Sequence, residues 1–249
     1  WIVMHLETEI FIFFSIALIG IAFLYSSVGH GGASGYIALM AAFSFPLAYI
    51  RPTALLLNIF ISGISFWYFK KYNHFKWDLF FPFALTSVPA AFLGGYITID
   101  PKLYKIILAI FLGIAVFRIL LNSTKEIDNQ RPFNTYIALL MGFVIGLFSG
   151  MIGIGGGIIL SPLIVIMGWG NMKTAAAVSA LFIFFNSIAG IIGYTLNHTI
   201  TAGSFNLLPI AFFGGILGAI YGSHKLSGAV LKYILSVVLV IACIKLTLP

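Results

Sequence analysis

Two short stretches, SVGHGG at residues 27–32 and MIGIGGG at residues 151–157, decide how this chain is read. Each lies between two apolar runs, and each repeats the other's glycine spacing about half a chain away. Gly29-His30-Gly31-Gly32 aligns with Gly153-Ile154-Gly155-Gly156. Outward from there the likeness continues in order: Arg51-Pro52-Thr53-Ala54 with Lys173-Thr174-Ala175-Ala176, and the PAAFLGG ending at Gly95 with the PIAFFGG ending at Gly215. Ordered recurrence of this kind is the mark of an internal repeat.

The repeated unit is built for lipid. Of 249 residues, 61% are hydrophobic and 8% charged, and the mean hydropathy is +1.11. Soluble domains carry about 25% charged residues, so this chain has too few to cover a water-facing surface. Lipid offers the backbone no hydrogen-bond partners, which leaves helices or a closed barrel, and the long unbroken runs read as helices. Ten runs are expected, at residues 10–26, 33–48, 53–69, 78–98, 103–121, 134–150, 156–168, 174–195, 204–222 and 229–248. The first starts behind Glu7 and Glu9 with neither a basic leader nor a cleavage site, and is expected to stay in the mature protein. A full crossing needs roughly 20 residues, which the run at 156–168 lacks. Each glycine-linked pair is therefore two short crossings, one broken helix or a re-entrant hairpin.

The polar segment NSTKEIDNQRPFN, from Asn122 to Asn134, divides the chain into a first repeat (1–121), a linker (122–133) and a second repeat (134–249). Counting each glycine pair as two runs or as a hairpin puts Lys70, Lys71, Lys76, Lys125, Arg131, Lys173 and Lys225 on one side, with Arg51 and Lys102 opposite. The positive-inside rule makes the first side, linker included, cytoplasmic and both termini external. Five segments per half is an odd number, so the second copy is expected to enter the membrane inverted, as in many secondary transporters. The fold expectation is an all-α integral membrane protein of two inverted-topology repeats of five.

Function is expected at the glycine stretches. Successive glycines adopt backbone angles that turn several N–H groups to one point, and the helix that starts after them adds partial positive charge. Two such turns entering from opposite faces would hold a small anion at the midplane. The candidate binding residues are Gly29, His30, Gly31, Gly32, Asn58, Gly153, Gly155, Gly156, Gly157, Ser179 and Asn186. The asparagines and serines, with Ser62 and Ser187, sit within apolar runs, where a polar group needs either a substrate or a neighbouring helix as partner. His30 is also a candidate for proton coupling. Arg51 and Lys173, at matching positions before the third and eighth runs, are candidate entrance cations, with interfacial anchoring as the alternative. The glycine stripes Gly142/Gly146/Gly150 and Gly214/Gly218/Gly222 are assigned to close helix packing and to no chemistry.

Other classes are excluded. The scattered cations form no basic patch, against nucleic-acid binding. The second glycine stretch lacks the Gly-Lys-Ser/Thr ending of a phosphate loop, and the glycine before Ser149 is one place too far for a nucleophile elbow. His74 and His198 lie in loops, no set of His, Cys, Asp or Glu has metal-ligand spacing, and Cys243 stands alone. No metal, cofactor or covalent catalysis is expected. The partners expected are a small anion and the lipid bilayer; homodimerisation and coupling to protons or sodium stay open.

The run from Gly150 to Gly157 followed by Ser161-Pro162-Leu163, recurring as Gly29 to Gly32, resembles the TauE/SafE family of membrane permeases over essentially the whole chain. In the first copy His30 and Ala33 replace apolar and glycine positions, and Ala38 stands where Pro162 aligns. The resemblance implies transport of sulfite or an organosulfonate, a bacterial or archaeal cytoplasmic membrane, and alternating access. A passive anion channel lined by the same loops is the alternative.

Overall fold

The computed structural model describes residues 8–43, 45–97, 132–200, 202–227 and parts of 229–240. The expected fifth run, nearly all of the linker and most of the tenth run lie outside the described residues. Within them all regular structure is helical: α1 (Thr8–Ser27), α2 (Ala33–Ala42), α3 (Leu47–Lys71), α4 (Trp77–Tyr96), α5 (Thr135–Ile152), α6 (Gly157–Met167), α7 (Met172–Thr195) and α8 (Leu208–Ile220). A short 3₁₀ turn (Ala202–Phe205) precedes α8, and a π-helical turn (Tyr221–Lys225) extends it. Six helical stretches are long and apolar enough to cross a bilayer. Phe13, Ile16, Leu85 and Leu140 are mostly exposed on the outside of the bundle, as lipid-facing residues must be.

Helix ends follow local chemistry. Asn134 and Asn171 cap α5 and α7 by accepting from the N–H groups of Ile137 and Thr174 at 3.1 and 2.8 Å. α1 and α5 end on equivalent glycines with positive φ, Gly29 at 74° and Gly153 at 83°. In both, the next residue donates its N–H to the carbonyl five places back: His30 to Tyr25 at 2.8 Å, Ile154 to Ser149 at 3.3 Å. The third run starts earlier than expected. α3 begins at Leu47 and carries Pro52 inside it, so Arg51 lies within the helix instead of before it.

Both glycine-linked pairs fold back as hairpins, which rules out one continuous broken helix. α2 folds back along α1: the Tyr25 and Ser34 hydroxyls are 2.8 Å apart, and the Phe14 and Phe43 rings are 5.2 Å apart edge to face. α6 folds back along α5, with Gly156 against Ile145 and Ser149 and the Phe133 and Trp169 rings 5.0 Å apart. Helices of 10 and 11 residues rise about 15 to 17 Å, roughly half of a ~30 Å hydrocarbon core. Neither short helix is able to cross.

Glycine stripes join the halves. Gly142, Gly146 and Gly150 of α5 press on the backbone of Phe83, Ser87 and Ala91 of α4; Gly214, Gly218 and Gly222 of α8 press on Ile19, Phe23 and Ser27 of α1. Residue numbers rise together along both seams, so α4 runs parallel to α5 and α1 to α8. Between the seams α3 and α7 pack antiparallel. Arg51 meets Tyr194, Leu55 meets Gly190, Asn58 meets Ser187 and Gly63 meets Phe184.

Candidate functional site

The two glycine turns meet at Asn58, near the middle of α3. Its side-chain oxygen accepts from the N–H of Ala33, the first residue of α2, at 3.0 Å. Its amide nitrogen donates to the Ile154 carbonyl in the second turn at 3.1 Å, and Ser187 Oγ of α7 lies 3.4 Å from it. One fully buried amide thus binds both turns and the long helix of the opposite half. A Cβ on Gly31 would run into Asn58 Oδ1, and one on Gly155 would stand 2.8 Å from Asn58 Nδ2. Glycine is required there because the backbone approaches the amide so closely. Gly155 and Gly156 also have φ of +77°, where other residues are strained.

A second link crosses the same junction. His30 Nε2 is 2.9 Å from Ser161 Oγ of α6, and Ser161 donates to Ser179 Oγ of α7 at 2.7 Å. His30 is 1% exposed, and its Nδ1 has no partner among the described residues. Gly29 packs on the backbone of Ala176, and Gly153 on Arg51 and Leu55, so each turn rests on the other half's long helix. α2 and α6 run away from the junction in opposite directions, each presenting its N-terminus to the centre. The first N–H groups of a helix have no acceptor within it, and the two dipoles add their positive ends there.

Most of the predicted residues converge. Gly29, His30, Gly31, Gly32, Asn58, Gly153, Gly155, Gly156, Gly157 and Ser179 line or brace the junction. Asn186 does not: its neighbour Ser187 faces Asn58, while both polar atoms of Asn186 are buried on an adjacent face of α7 without a partner among the described residues. Ser161 was not singled out from sequence. Its signal was its place on the helix opened by the second glycine run, one turn past Gly157.

The two candidate entrance cations sit at opposite ends of the bundle. Arg51 Nη2 donates to the carbonyls of Gly150 (2.9 Å) and Gly95 (3.2 Å), and its guanidinium lies over the Tyr194 ring at 4.9 Å. Among the described residues its partners are all neutral. Lys173 donates to the Ser223 carbonyl at 3.5 Å, which His74 Nε2 also reaches at 3.0 Å. Burial holds the His74 pKa below its ordinary value of 6.5 against that hydrogen bond, and the Lys173 charge lowers it further. No cluster of metal-binding side chains occurs among the described residues.

Six bilayer-length helices, two half-length hairpin helices and a buried polar junction where their N-termini meet define a polytopic membrane transporter. The family described as sulfite exporter TauE/SafE matches residues 12–246, and the chain belongs to it. It is 36% identical over 244 residues to the probable membrane transporter protein y4hK of Sinorhizobium fredii, covering 93% of this chain and 96% of that one. It is 24% identical to the probable membrane transporter protein YunE of Bacillus subtilis, covering 77% and 78%. With the Arabidopsis thaliana sulfite exporter TauE/SafE family protein 6 the identity is 32%, over 55% of this chain and 36% of that one. No solved structure matches the chain.

Proposed function

We propose that this protein is a secondary carrier for a small sulfur oxyanion such as sulfite or an organosulfonate. The observation that carries the reading is the meeting of the α2 and α6 N-termini at Asn58. Two positive helix ends in a water-poor interior favour an anion, and backbone N–H groups bind oxyanions without a buried cation. The family name and the Arabidopsis relative's name point to sulfite among such anions.

The halves act as inverted repeats of one five-segment unit, in a bacterial or archaeal cytoplasmic membrane with both termini outside. Support comes from the antiparallel packing of α3 on its counterpart α7, and from parallel seams that pair each half's first helix with the other half's fourth. Rocking of one half against the other then exposes the junction to each face in turn. The interlock through Asn58 and His30 favours this carrier over a passive channel, whose pore would have to pass between joined turns.

His30 is placed to couple transport to protons, since protonation of the ring changes its link to Ser161. Arg51 and Lys173, one at each end, raise local anion concentration at the two mouths. A second copy of the chain and a sodium ion stay open as further partners. Flux into proteoliposomes over a panel of sulfite, sulfate, thiosulfate, taurine and sulfoacetate tests the reading. Saturable uptake of a sulfur oxyanion is expected, and uptake of none of them would refute it.

A further inference from the structure

Behind the second turn lies a set of buried polar side chains with no work to do in the fold. Ser87 of α4, Ser149 of α5 and Asn186 of α7 are 0, 3 and 1% exposed, and among the described residues neither hydroxyl nor either amide atom has a hydrogen-bond partner. They occupy one wedge. Ser87 backs onto Gly146, one turn before Ser149 and Gly150. Asn186 stands on α7 between Phe182, which touches the site of Gly156, and Gly190, where an added Cβ would be 3.6 Å from the Gly150 Cα. The Ser149 Cβ is 3.2 Å from where a Gly156 side chain would begin, which puts Ser149 beside the N-terminus of α6.

An unpaired buried polar group in a membrane interior is destabilising, and three on adjoining faces mark a place where something else supplies the partners. Two hydroxyls and an amide N–H, under the positive end of a helix and with no carboxylate among them, suit an anion. The Asn186 carbonyl and the two hydroxyl oxygens could also hold a cation, and it is the positive end of α6 beside them that favours the anion. Next to Ser149, the Gly150 carbonyl accepts from Arg51, whose Nε is also buried and has no partner among the described residues.

Resting on the carrier reading above, we infer that Ser87, Ser149 and Asn186 form a second oxyanion station beside the Asn58 junction, level with it along α7. The transported anion leaves the glycine turns by passing onto these donors, and Arg51 receives it at the rim. Asn58, whose amide is already engaged by both turns, keeps the junction closed while the station is occupied.

The test uses the full-length protein, with sulfite as the probe. Sulfite-induced thermal shift and initial uptake rates are compared for wild type, Asn186→Leu and the Ser87→Ala/Ser149→Ala double variant. Loss of one or two charge-assisted hydrogen bonds predicts a KM raised about tenfold or more. The sulfite-free melting temperature should be unchanged or higher, because unpaired groups have been removed. Unaltered KM and thermal shift in both variants, with wild-type uptake intact, would overturn the station and leave the carrier standing. A fall in melting temperature with unaltered KM would assign the groups to structural water and overturn it too, as would a sodium-induced shift, lost in the variants, without any sulfite effect. If wild type takes up no oxyanion, the carrier reading itself fails.

Discussion

The two seams between the halves have the same backbone design, but their buried serines are treated differently. Along α1 and α8, Ser26 is satisfied twice, 2.8 Å from Ser65 Oγ and donating to the Gly215 carbonyl at 2.7 Å. Along α4 and α5, Ser87 and Ser149 are buried too and have no hydrogen-bond partner among the described residues, nor does Asn186 of the adjoining α7. Both seams bring helix backbones together over glycines, while the side chains beside them differ. The α4–α5 seam also has a hydrogen bond of its own, from Thr86 Oγ1 to the Leu139 carbonyl at 2.7 Å, so the contrast lies in the serines nearer the second glycine turn.

The largest effect comes from breaking what the seams share. A Cβ at Gly150 would collide with the backbone of Ala91, and one at Gly218 with that of Phe23. Gly150→Val and Gly218→Val should each destabilise by about 3 kcal/mol or more and yield aggregated protein on size-exclusion chromatography in detergent. Gly20, with open space where its side chain would point, tolerates alanine as the control. Next is the junction that belongs to neither seam. Asn58→Leu strands the Ala33 N–H and the Ile154 carbonyl and should lower stability by about 3 kcal/mol, read as earlier thermal unfolding.

Smaller substitutions sharpen the contrast. Ser26→Ala removes a satisfied hydroxyl and should cost about 1 kcal/mol, whereas Ser149→Ala should cost nothing in substrate-free protein. Equal losses in the two melting curves would erase the distinction drawn here. The smallest effect is at the face where His74 and Lys173 share the Ser223 carbonyl. With the His74 pKa lowered by burial, the unfolded chain takes up the proton first as pH falls through about 6.5, so stability declines below that value. His74→Gln should flatten that part of the melting-temperature profile, and an unchanged slope would clear His74 of it.

Much of the fold was legible because it rests on long-range composition. Apolar runs between glycines and charges mark helices regardless of neighbours, and the duplicated glycine spacing exposed the turns. Prolines misled at one boundary: Arg51-Pro52 read as a loop, yet α3 absorbs Pro52 in its second turn. The junction was legible at Asn58 and the glycines, since a polar amide in an apolar run must find a partner. Asn186 and Ser187 were indistinguishable, because adjacent residues on a helix point about 100° apart and only the packing of α3 on α7 decides which one faces Asn58. Ser87 and Ser149 gave no signal, because a serine in an apolar helix so often bonds its own backbone.

The central claim is that two glycine turns, converging from opposite faces, carry an oxyanion by alternating exposure. Trans-stimulated uptake of labelled sulfite into proteoliposomes tests it most directly. Internal unlabelled sulfite should accelerate uptake of external label, with saturation, and Asn58→Ala should abolish the acceleration. Flux linear in concentration and indifferent to internal sulfite would contradict it.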